Sequence, residues 1–268
     1  MNSTKIKIFC VTNKVLHNFK NLPLTFAGVG QNYFPKNYLL SNNLKNIYYK
    51  EKYYSELTFH YWFWKNMLNK IPKNFWVGFC QKRRFWLKSR KIDYEIGRSN
   101  IYKNILRIIP KEWNNVESVI VDPIYVNKIK KMKLIKRGFK SLIKDPSIFF
   151  DTKKQTVKLH FDMHHGYGNL DKAINLLNKN DKSDFTQFVN TSNSFNPHIM
   201  FISKPEIASR WFSTLFPWLF RCEKVFGFKK LYGYDTTRLY AYLAERYLSF
   251  WFKKYTKFVE WPIVTLEH

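Results

Sequence analysis

The sequence predicts an α/β protein: an open, mostly parallel β-sheet flanked by helices, in a single domain over residues 1–265. Short apolar runs typical of buried strands alternate along the chain with longer segments whose apolar residues recur at helical spacing. This alternation is typical of a parallel sheet covered by helices. The length of 268 residues suits one large domain with a substantial core. The last three residues, 266–268, are interpreted as the remnant of an expression tag.

The strands are predicted from β-branched and aromatic runs that end in polar residues or turn formers. The first covers 5–13 (KIKIFCVTN) and ends in the polar residues Thr12 and Asn13. Polar residues at the carboxyl end of a first strand lie where α/β folds bind their ligands. Further strands are predicted over 24–30, 75–80, 116–125 and 199–203.

The helices are predicted where apolar residues repeat every three to four positions. The clearest covers 53–68, with Ser55 as its N-cap. Segment 128–144 is strongly basic with interleaved apolar residues. It is predicted as an amphipathic helix, which either lies at a membrane interface or packs on the domain as a solvated helix.

Three further helical segments are predicted in the second half of the chain. One lies within 162–177 and is opened by His164-His165-Gly166, and the last covers 235–255. The helix over 207–225 contains Pro217, which is expected to kink it. Segment 178–195 is rich in Asn, Asp, Ser and Thr and is predicted as a loop.

The charge of the chain is one-sided, because 46 Lys and Arg residues against 19 Asp and Glu give a formal net charge of +27. Such a field attracts polyanions, which here means nucleic acid, anionic lipid or a diphosphate-bearing substrate. Basic charge with interleaved aromatic residues is typical of nucleic-acid binders. The chain carries no known nucleic-acid-binding motif, however, and its aromatic residues fall on helix faces that are predicted core. We therefore predict no nucleic-acid partner and keep nucleic-acid binding as an alternative.

The cysteines and the hydropathy pattern bear on the compartment. Cys10, Cys80 and Cys222 lie far apart and form no CxxC pair, so no disulfide framework is predicted. The N-terminal apolar run is too short and too polar for a signal peptide. No stretch approaches the ~18 apolar residues of a spanning helix. We expect a cytoplasmic protein, peripheral at the inner face of the plasma membrane.

A cationic triplet, Lys82-Arg83-Arg84, directly follows the predicted strand over 75–80. The sequence lacks GxGxxG, GxxxxGK[ST], HExxH, GxSxG and any zinc-spaced Cys and His set. Two guanidinium groups and an ammonium group after a buried strand could instead neutralise a diphosphate directly. The alternative is an ordinary charged turn on the surface.

A second set of residues could take a proton from a substrate hydroxyl. A histidine pair is more often structural than catalytic, and Glu245 could simply pair with Arg246. An acid on an otherwise aromatic helix face is nevertheless unusual, and Arg238 lies two helical turns before Glu245 on the same face. The candidates are Asp162, His164, His165, Asp235 and Glu245.

The order of these segments resembles that of a family of bacterial capsular and exopolysaccharide glycosyltransferases, long described only as a domain of unknown function. Its opening strand Ile-x-Val-x-Thr-His corresponds to 8–13 (IFCVTN), and its helix Tyr-Tyr-Ser-Glu-Leu-Thr-Ala-x-Tyr-Trp-x-Trp-Lys-Asn to 53–66 (YYSELTFHYWFWKN). The next strand, Gly-x-x-His-Tyr-Arg-Arg, corresponds to 78–84 (GFCQKRR). Later elements follow in the same order at 161–165, 196–202, 215–220 and 238–246.

The resemblance implies a GT-A-like fold, a UDP-sugar donor and a saccharide or polyprenyl-diphosphate-linked acceptor in surface-polysaccharide synthesis. Inverting transfer of galactofuranose is one activity associated with such proteins. Many GT-A-like enzymes hold a divalent metal with an Asp-x-Asp pair, which is absent from the strand ends here. We therefore predict no cofactor and a metal-independent reaction. An anionic membrane surface is the further partner that we expect.

Together with the residue types, the resemblance predicts three sets of site residues. Gln81-Lys82 stands where the family has His-Tyr, and Asn13 stands where it has His. The donor sugar could therefore differ, and an inactive transferase-like fold is a further alternative. The donor-binding set is Thr12, Asn13, Glu56, Thr58, Lys82, Arg83, Arg84 and Arg238; the catalytic set is His165, Asp235 and Glu245; and the acceptor-binding set is His164, Asn196 and His198.

Overall fold

The computed structural model describes residues 5–16, 19, 22–91, 95–97 and 99–266. Its contacts divide the chain into two compact units. Unit 1 comprises Met1–Asp122, His198–Thr214 and Phe252–His268. Unit 2 comprises Pro123–Pro197 and Leu215–Trp251. A single glycosyltransferase-like domain over 1–265 stays a prediction.

The secondary structure alternates between strands and helices along most of the chain. The described strands are β1 (Ile6–Thr12), β2 (Thr25–Gly28), β3 (Leu39–Leu40), β4 (Trp76–Gln81), β5 (Arg84–Trp86), β6 (Ser118–Val121), β7 (Ile124–Tyr125), β8 (Ser194–Phe195), β9 (Phe201–Ser203), β10 (Phe258–Trp261) and β11 (Ile263–Thr265). The described α-helices are α1 (Glu51–Tyr54), α2 (Leu57–Asn66), α3 (Ile101–Asn104), α4 (Lys131–Lys144), α5 (Val157–His165), α6 (Asn169–Ile174), α7 (Lys179–Thr191), α8 (Pro205–Phe226) and α9 (Leu239–Tyr255).

Unit 1 is built on one open nine-stranded sheet with the order β10-β6-β9-β4-β1-β2-β3, to which β5 and β11 are added beside β4. The pairs β1/β2, β1/β4, β2/β3 and β6/β10 are parallel. β9 runs antiparallel to both β4 and β6, so these two strands point the same way. The predicted α/β fold with a mostly parallel sheet flanked by helices is confirmed.

The two faces of the sheet are covered by different sets of side chains, because successive residues of a strand point to opposite faces. On one face, Phe9 of β1 and Phe79 of β4 contact the aromatic rings of α2; the ring centroids of Phe9 and Phe63 lie 4.8 Å apart. On the other face, Ile8, Cys10 and Cys80 belong to a buried cluster that also contains several tryptophans. The aromatic richness of the sequence is therefore used mainly as core.

Unit 2 is mainly helical, with the short antiparallel pair β7/β8. Its core includes Phe185 of α7, which packs against Trp218 of α8 and Tyr247 of α9. The ring centroids of Trp218 and Tyr247 lie 4.8 Å apart. The buried hydroxyl of Tyr247 donates a hydrogen bond of 2.6 Å to Asp181. This bond satisfies a polar pair that would be costly to bury alone.

Four sequence-based predictions about elements are corrected. Segment 178–195 is not a loop, because α7 buries Asp181, Phe185 and Val189 at four-residue spacing between its polar residues. The helix predicted over 53–68 is broken at Ser55, whose φ is +52°, and the N-cap residue of α2 is Glu56 in place of Ser55. His164 and His165 end α5 rather than open a helix. The strand predicted over 116–125 is two strands, β6 and β7, separated by Asp122 and Pro123.

The last described residue, Leu266, is buried in the core of unit 1, and its N–H donates to the carbonyl of Arg83 at 2.8 Å. The tag interpretation of 266–268 otherwise stays a prediction, because residues 267 and 268 lie outside the described residues. Among the helices described, none has the length and apolar character needed to cross a bilayer.

One ionisable residue is packed entirely within the aromatic core of unit 1. His60 of α2 is 1% exposed, and its ring lies 4.3 Å from that of Phe79 and 5.8 Å from that of Phe212. Its Nδ1 has no hydrogen-bond partner within the described part of the chain. Burial lowers the pKa of His60 from 6.5 to about 3, so the ring is neutral at physiological pH.

We expect His60→Phe to make the stability of the protein less sensitive to acid. Between about pH 3, the pKa of folded His60, and pH 6.5, its ordinary pKa, His60 is protonated in the unfolded chain but neutral in the folded protein. The wild type should therefore lose stability as the pH falls through this window, by about 1 kcal/mol per pH unit from this residue. The variant should lose stability less steeply, by that amount. Urea unfolding between about pH 7 and about pH 4 measures both slopes.

The neighbouring substitution Phe59→Leu is the matched control. It should lower the free energy of unfolding by about 1 kcal/mol at every pH, because it removes buried ring contacts without removing a titrating group. Equal slopes in the wild type and His60→Phe would show that His60 takes up its proton in the folded state.

Candidate active site

The carboxyl ends of β1, β2 and β4 meet at one edge of the sheet in unit 1. In the observed register Thr12 lies opposite Gly28, and Val11 lies opposite Gln81. Thr12 is buried, and its hydroxyl donates to the carbonyl of Lys14 at 2.6 Å while it accepts from the N–H of the same residue. Thr12 therefore shapes the turn that presents Asn13 and does not itself offer surface to a ligand.

The cationic triplet lies in a tight hairpin at this edge. β4 and β5 pair through Gln81 and Arg84, and Lys82 and Arg83 form the turn between them. Lys82 Nζ donates to Asn13 Oδ1 at 2.8 Å, which joins the ends of β4 and β1. Arg84 Nη1 donates to Gln81 Oε1, also at 2.8 Å. The hairpin therefore concentrates three positive charges within three consecutive residues.

Arg83 supplies the most direct sign of a ligand. Its Nε is buried and has no hydrogen-bond partner in the part of the chain that the structure describes. Buried donors in proteins are almost always satisfied by the protein, by water or by a ligand. A guanidinium group offers its donors in a planar fork that suits the oxygens of a phosphate or carboxylate.

Glu56 and His198 complete the group around the hairpin. Glu56 immediately precedes α2, and its carboxylate accepts a hydrogen bond from Gln81 Nε2. His198 adopts a left-handed backbone conformation (φ +68°) three residues before β9 begins. Such backbone strain in a residue other than glycine is common at functional sites.

The environment of His198 keeps its imidazole neutral. Burial, together with the positive charge of Arg84, lowers the pKa of His198 to about 4, and the negative charge of Glu56 opposes this shift. The structure thus groups His198, which sequence reasoning assigned to the acceptor, with the donor-binding candidates Arg84 and Glu56.

Thr58 is fully buried and donates to the carbonyl of Ser55 at 2.9 Å, so it supports the start of α2.

Asp122 is a residue of this edge that sequence reasoning missed. It directly follows β6, which points the same way as β4, so it lies at the same edge of the sheet. Burial raises the pKa of Asp122, and the guanidinium of Arg90, 3.6 Å away, opposes this. The signal that could have found it is a carboxylate directly after a buried strand.

The other candidates belong to unit 2, where three histidines share the α5 helix. His160 and His164 stack with their ring centroids 4.5 Å apart. His165 Nδ1 is 3.0 Å from the carbonyl oxygen of Asp235, and its ring stacks on that of Tyr242 at 3.7 Å. Burial, reinforced by the charge of Arg246, lowers the pKa of His165 to about 3 and that of His160 to about 2. Both rings are therefore neutral at physiological pH.

Glu245 is held by an arginine that is 1% exposed. Arg246 Nη1 donates to the Glu245 carboxylate, and Arg246 Nη2 lies 3.2 Å from His160 Nδ1. The guanidinium also lies 3.7 Å from the ring centroid of Phe195, a cation–π contact. The Glu245 side chain is 16% exposed, so its carboxylate is anchored yet reachable.

The remaining candidates in unit 2 differ in accessibility. The Asp235 carboxylate is exposed and pairs with Arg137 at 3.0 Å. Arg238 is exposed and directly precedes α9 in unit 2, whereas the other donor-binding candidates belong to unit 1. Asn196 is fully buried, and its Oδ1 accepts from Ser249 at 2.6 Å. We therefore assign Asn196 a structural role in place of acceptor contact.

In open α/β folds, ligands bind at the carboxyl ends of the strands, which is the edge where the hairpin lies here. Residues 7–257 match the family described as "Domain of unknown function (DUF4422)". Because this match covers most of the chain, the protein belongs to that family. No curated protein matches the chain.

A comparison with solved structures defines the fold further. The apo structure of the bifunctional glycosyltransferase WbbM has a TM-score of 0.72 with this protein at 17% sequence identity. The match covers 98% of this chain and 46% of that chain. At this identity the likeness shows a shared fold, namely that of a glycosyltransferase.

Within the described residues, no group of three His, Cys, Asp or Glu side chains could hold a metal ion.

Proposed function

We propose that this protein is a glycosyltransferase that moves a sugar from a UDP-sugar to a saccharide acceptor. The observation that carries the proposal is the hairpin of Lys82, Arg83 and Arg84 at the carboxyl edge of parallel strands, with the buried Arg83 Nε lacking a partner among the described residues. The fold shared with a glycosyltransferase supports it.

The charges around the hairpin suit a pyrophosphate. Three cations and the carboxylate of Glu56 leave a local excess of two positive charges, which complements the two negative charges of a UDP-sugar. As the glycosidic bond to the pyrophosphate breaks, negative charge develops on the departing UDP. Cations that are already in place stabilise this charge without reorganisation, the role that a metal ion plays elsewhere. We therefore propose a reaction that needs no divalent metal.

We propose that the residues next to the hairpin bind the other parts of the donor, namely the nucleoside and the sugar. The Glu56 carboxylate suits a hydroxyl or amide of the nucleoside better than a phosphate, because like charges repel. Asn13 and Lys82 form one hydrogen-bonded pair at the edge, and both differ from the pattern of the family resembled. We propose that this pair helps to select the donor sugar, with galactofuranose as the first sugar to test.

We propose Glu245 as the base that takes the proton from the acceptor hydroxyl. An inverting transfer needs one such base: the hydroxyl oxygen attacks the anomeric carbon, its proton passes to the base, and UDP leaves. A neutral imidazole with a pKa near 3, such as that of His165, is a weak base at physiological pH. The Glu245 carboxylate is instead held in an ion pair with Arg246. We assign His164, His165 and Asp235 to binding of the acceptor.

We propose a lipid-linked saccharide as the acceptor, carried on polyprenyl diphosphate during the synthesis of a surface polysaccharide. The net charge of +27 favours such an anionic acceptor. The proposed setting is the cytoplasmic face of the plasma membrane.

Arg83→Ala and Arg84→Ala should each lower kcat/KM for the UDP-sugar on the order of 100-fold, because each removes a positive charge that stabilises the departing UDP. Donor identity is screened first by the rise in melting temperature with UDP, GDP, CMP and dTDP sugars. Turnover is then measured as UDP release in the presence of a chelator. A strict requirement for added manganese would contradict the metal-free proposal.

Arg107→Ala is the matched control for these variants. Arg107 is an exposed arginine of unit 1 that donates to the carbonyl of Tyr102 at 2.9 Å. It should leave both the melting-temperature shift and turnover unchanged. Wild-type turnover in both hairpin variants would refute the assigned role of the triplet.

Glu245→Gln should lower kcat on the order of 100-fold or more while the affinity for UDP stays unchanged, because the amide keeps the shape of the side chain but cannot accept the proton. The measurement pairs steady-state kinetics with UDP binding by calorimetry. Glu206→Gln, at an exposed position, is the control that should change neither. Wild-type turnover in Glu245→Gln would show that Glu245 is not the base.

A further inference from the structure

The α4 helix exposes an apolar stripe that the fold leaves uncovered. Its inner face is already packed, since Leu134 joins Ile148, Leu159 and Met163 in a small buried cluster. Elsewhere on the helix, large apolar side chains recur at three- and four-residue spacing and are between 43% and 67% exposed. We call these residues the α4 stripe: Met132, Ile135, Phe139 and Ile143.

A cationic face adjoins the α4 stripe on the same helix. The helix carries six Lys and Arg residues and no Asp or Glu. At 100° per residue, five of them fall on the sector beside the stripe, away from the buried face. They are Lys133, Lys136, Arg137, Lys140 and Lys144, all exposed. Arg137 also pairs with Asp235.

We propose that α4 docks on an anionic lipid bilayer, with the α4 stripe inserted below the headgroups and the cationic face against them. A helix with one apolar and one cationic sector is suited to lie in the plane of a membrane interface. Each Lys or Arg near an anionic leaflet raises the affinity about fivefold. Insertion also removes from water the four large side chains that the fold leaves exposed.

Charge and shape favour a bilayer over the other occupants of this face. A second copy of the chain would set six cations against six cations, and like charges at an interface are repulsive. A nucleic acid would satisfy the cations, but Met132, Ile135 and Ile143 have no planar ring on which a base could stack. A bilayer offers both anionic headgroups and an apolar layer.

The test is sedimentation of the whole protein with vesicles of phosphatidylcholine alone or with about 30% phosphatidylglycerol. The wild type should bind the anionic vesicles at least about tenfold more tightly than the neutral ones. Phe139→Ser with Ile143→Ser removes half of the stripe and keeps the charge. Lys136→Glu with Lys140→Glu reverses charge and keeps the stripe. Each pair should weaken binding to anionic vesicles about tenfold or more.

Two control variants match these pairs in chemistry but not in position. Ile108→Ser changes an apolar side chain that is 81% exposed in unit 1, and Lys179→Glu with Lys182→Glu reverses two exposed charges on α7. Both should bind vesicles like the wild type. Because all the substituted side chains are exposed, circular dichroism should show every variant folded.

Three results would overturn the proposal. The first is failure of the wild type to bind anionic vesicles. The second is unchanged binding by the Phe139→Ser, Ile143→Ser pair, which would mean that charge alone attracts the protein, as it would attract RNA. The third is equal weakening by the α7 control. If the serine pair instead converts a dimer to a monomer in sedimentation velocity and vesicle binding is unchanged, the stripe is a self-association surface.

Discussion

The candidate donor site depends on the parallel pairing of β1 with β4. Because Val11 lies opposite Gln81, the two strands end together, and Asn13 and Lys82 come within hydrogen-bonding distance. Asn13 and Lys82 are only half-buried, so the one hydrogen bond between them contributes little to holding this register. The ring packing of Phe9 and Phe79 beneath the edge holds it. The aromatic core and the cationic edge are thus two consequences of one strand pairing.

The features that could be predicted from the sequence are those set by neighbouring residues in the chain. Those that were missed depend on contacts with residues far away in the sequence. The place of Lys82, Arg83 and Arg84 follows from the buried run before them, so it was predictable. That Arg84 begins a strand paired with Thr265 was not, because this contact joins residues that lie far apart in the sequence. The α7 helix was missed because three buried positions lie among polar residues. The resemblance marked His198 as an acceptor residue but not as a neighbour of Arg84 and Glu56, because its backbone conformation and its neighbours come from the tertiary fold.

Burial sorts the ionisable residues of unit 2 into two chemical states. His160 and His165 respond to burial by giving up their protons, since an imidazole can be neutral at little cost. An arginine in a protein stays charged even where burial lowers its pKa, as it does for Arg246, so this residue needs a counter-ion. Glu245 supplies it, which explains an acid on a helix that is otherwise aromatic. The same pairing gives the unit a carboxylate that is both anchored and partly exposed.

The contact between Asn13 and Lys82 bears on whether the departures from the resembled pattern mean lost activity. Where the family has His at the first strand and His-Tyr before the arginines, this chain has Asn13 and Gln81-Lys82, and two of these replacements, Asn13 and Lys82, touch each other. Replacements that contact each other form one local change in place of two independent losses. The change also adds a cation beside two arginines that are retained, which strengthens the attraction for a pyrophosphate. A site drifting without function would have no reason to keep its arginines and gain a third positive charge. The departures therefore favour an altered donor over an inactive fold.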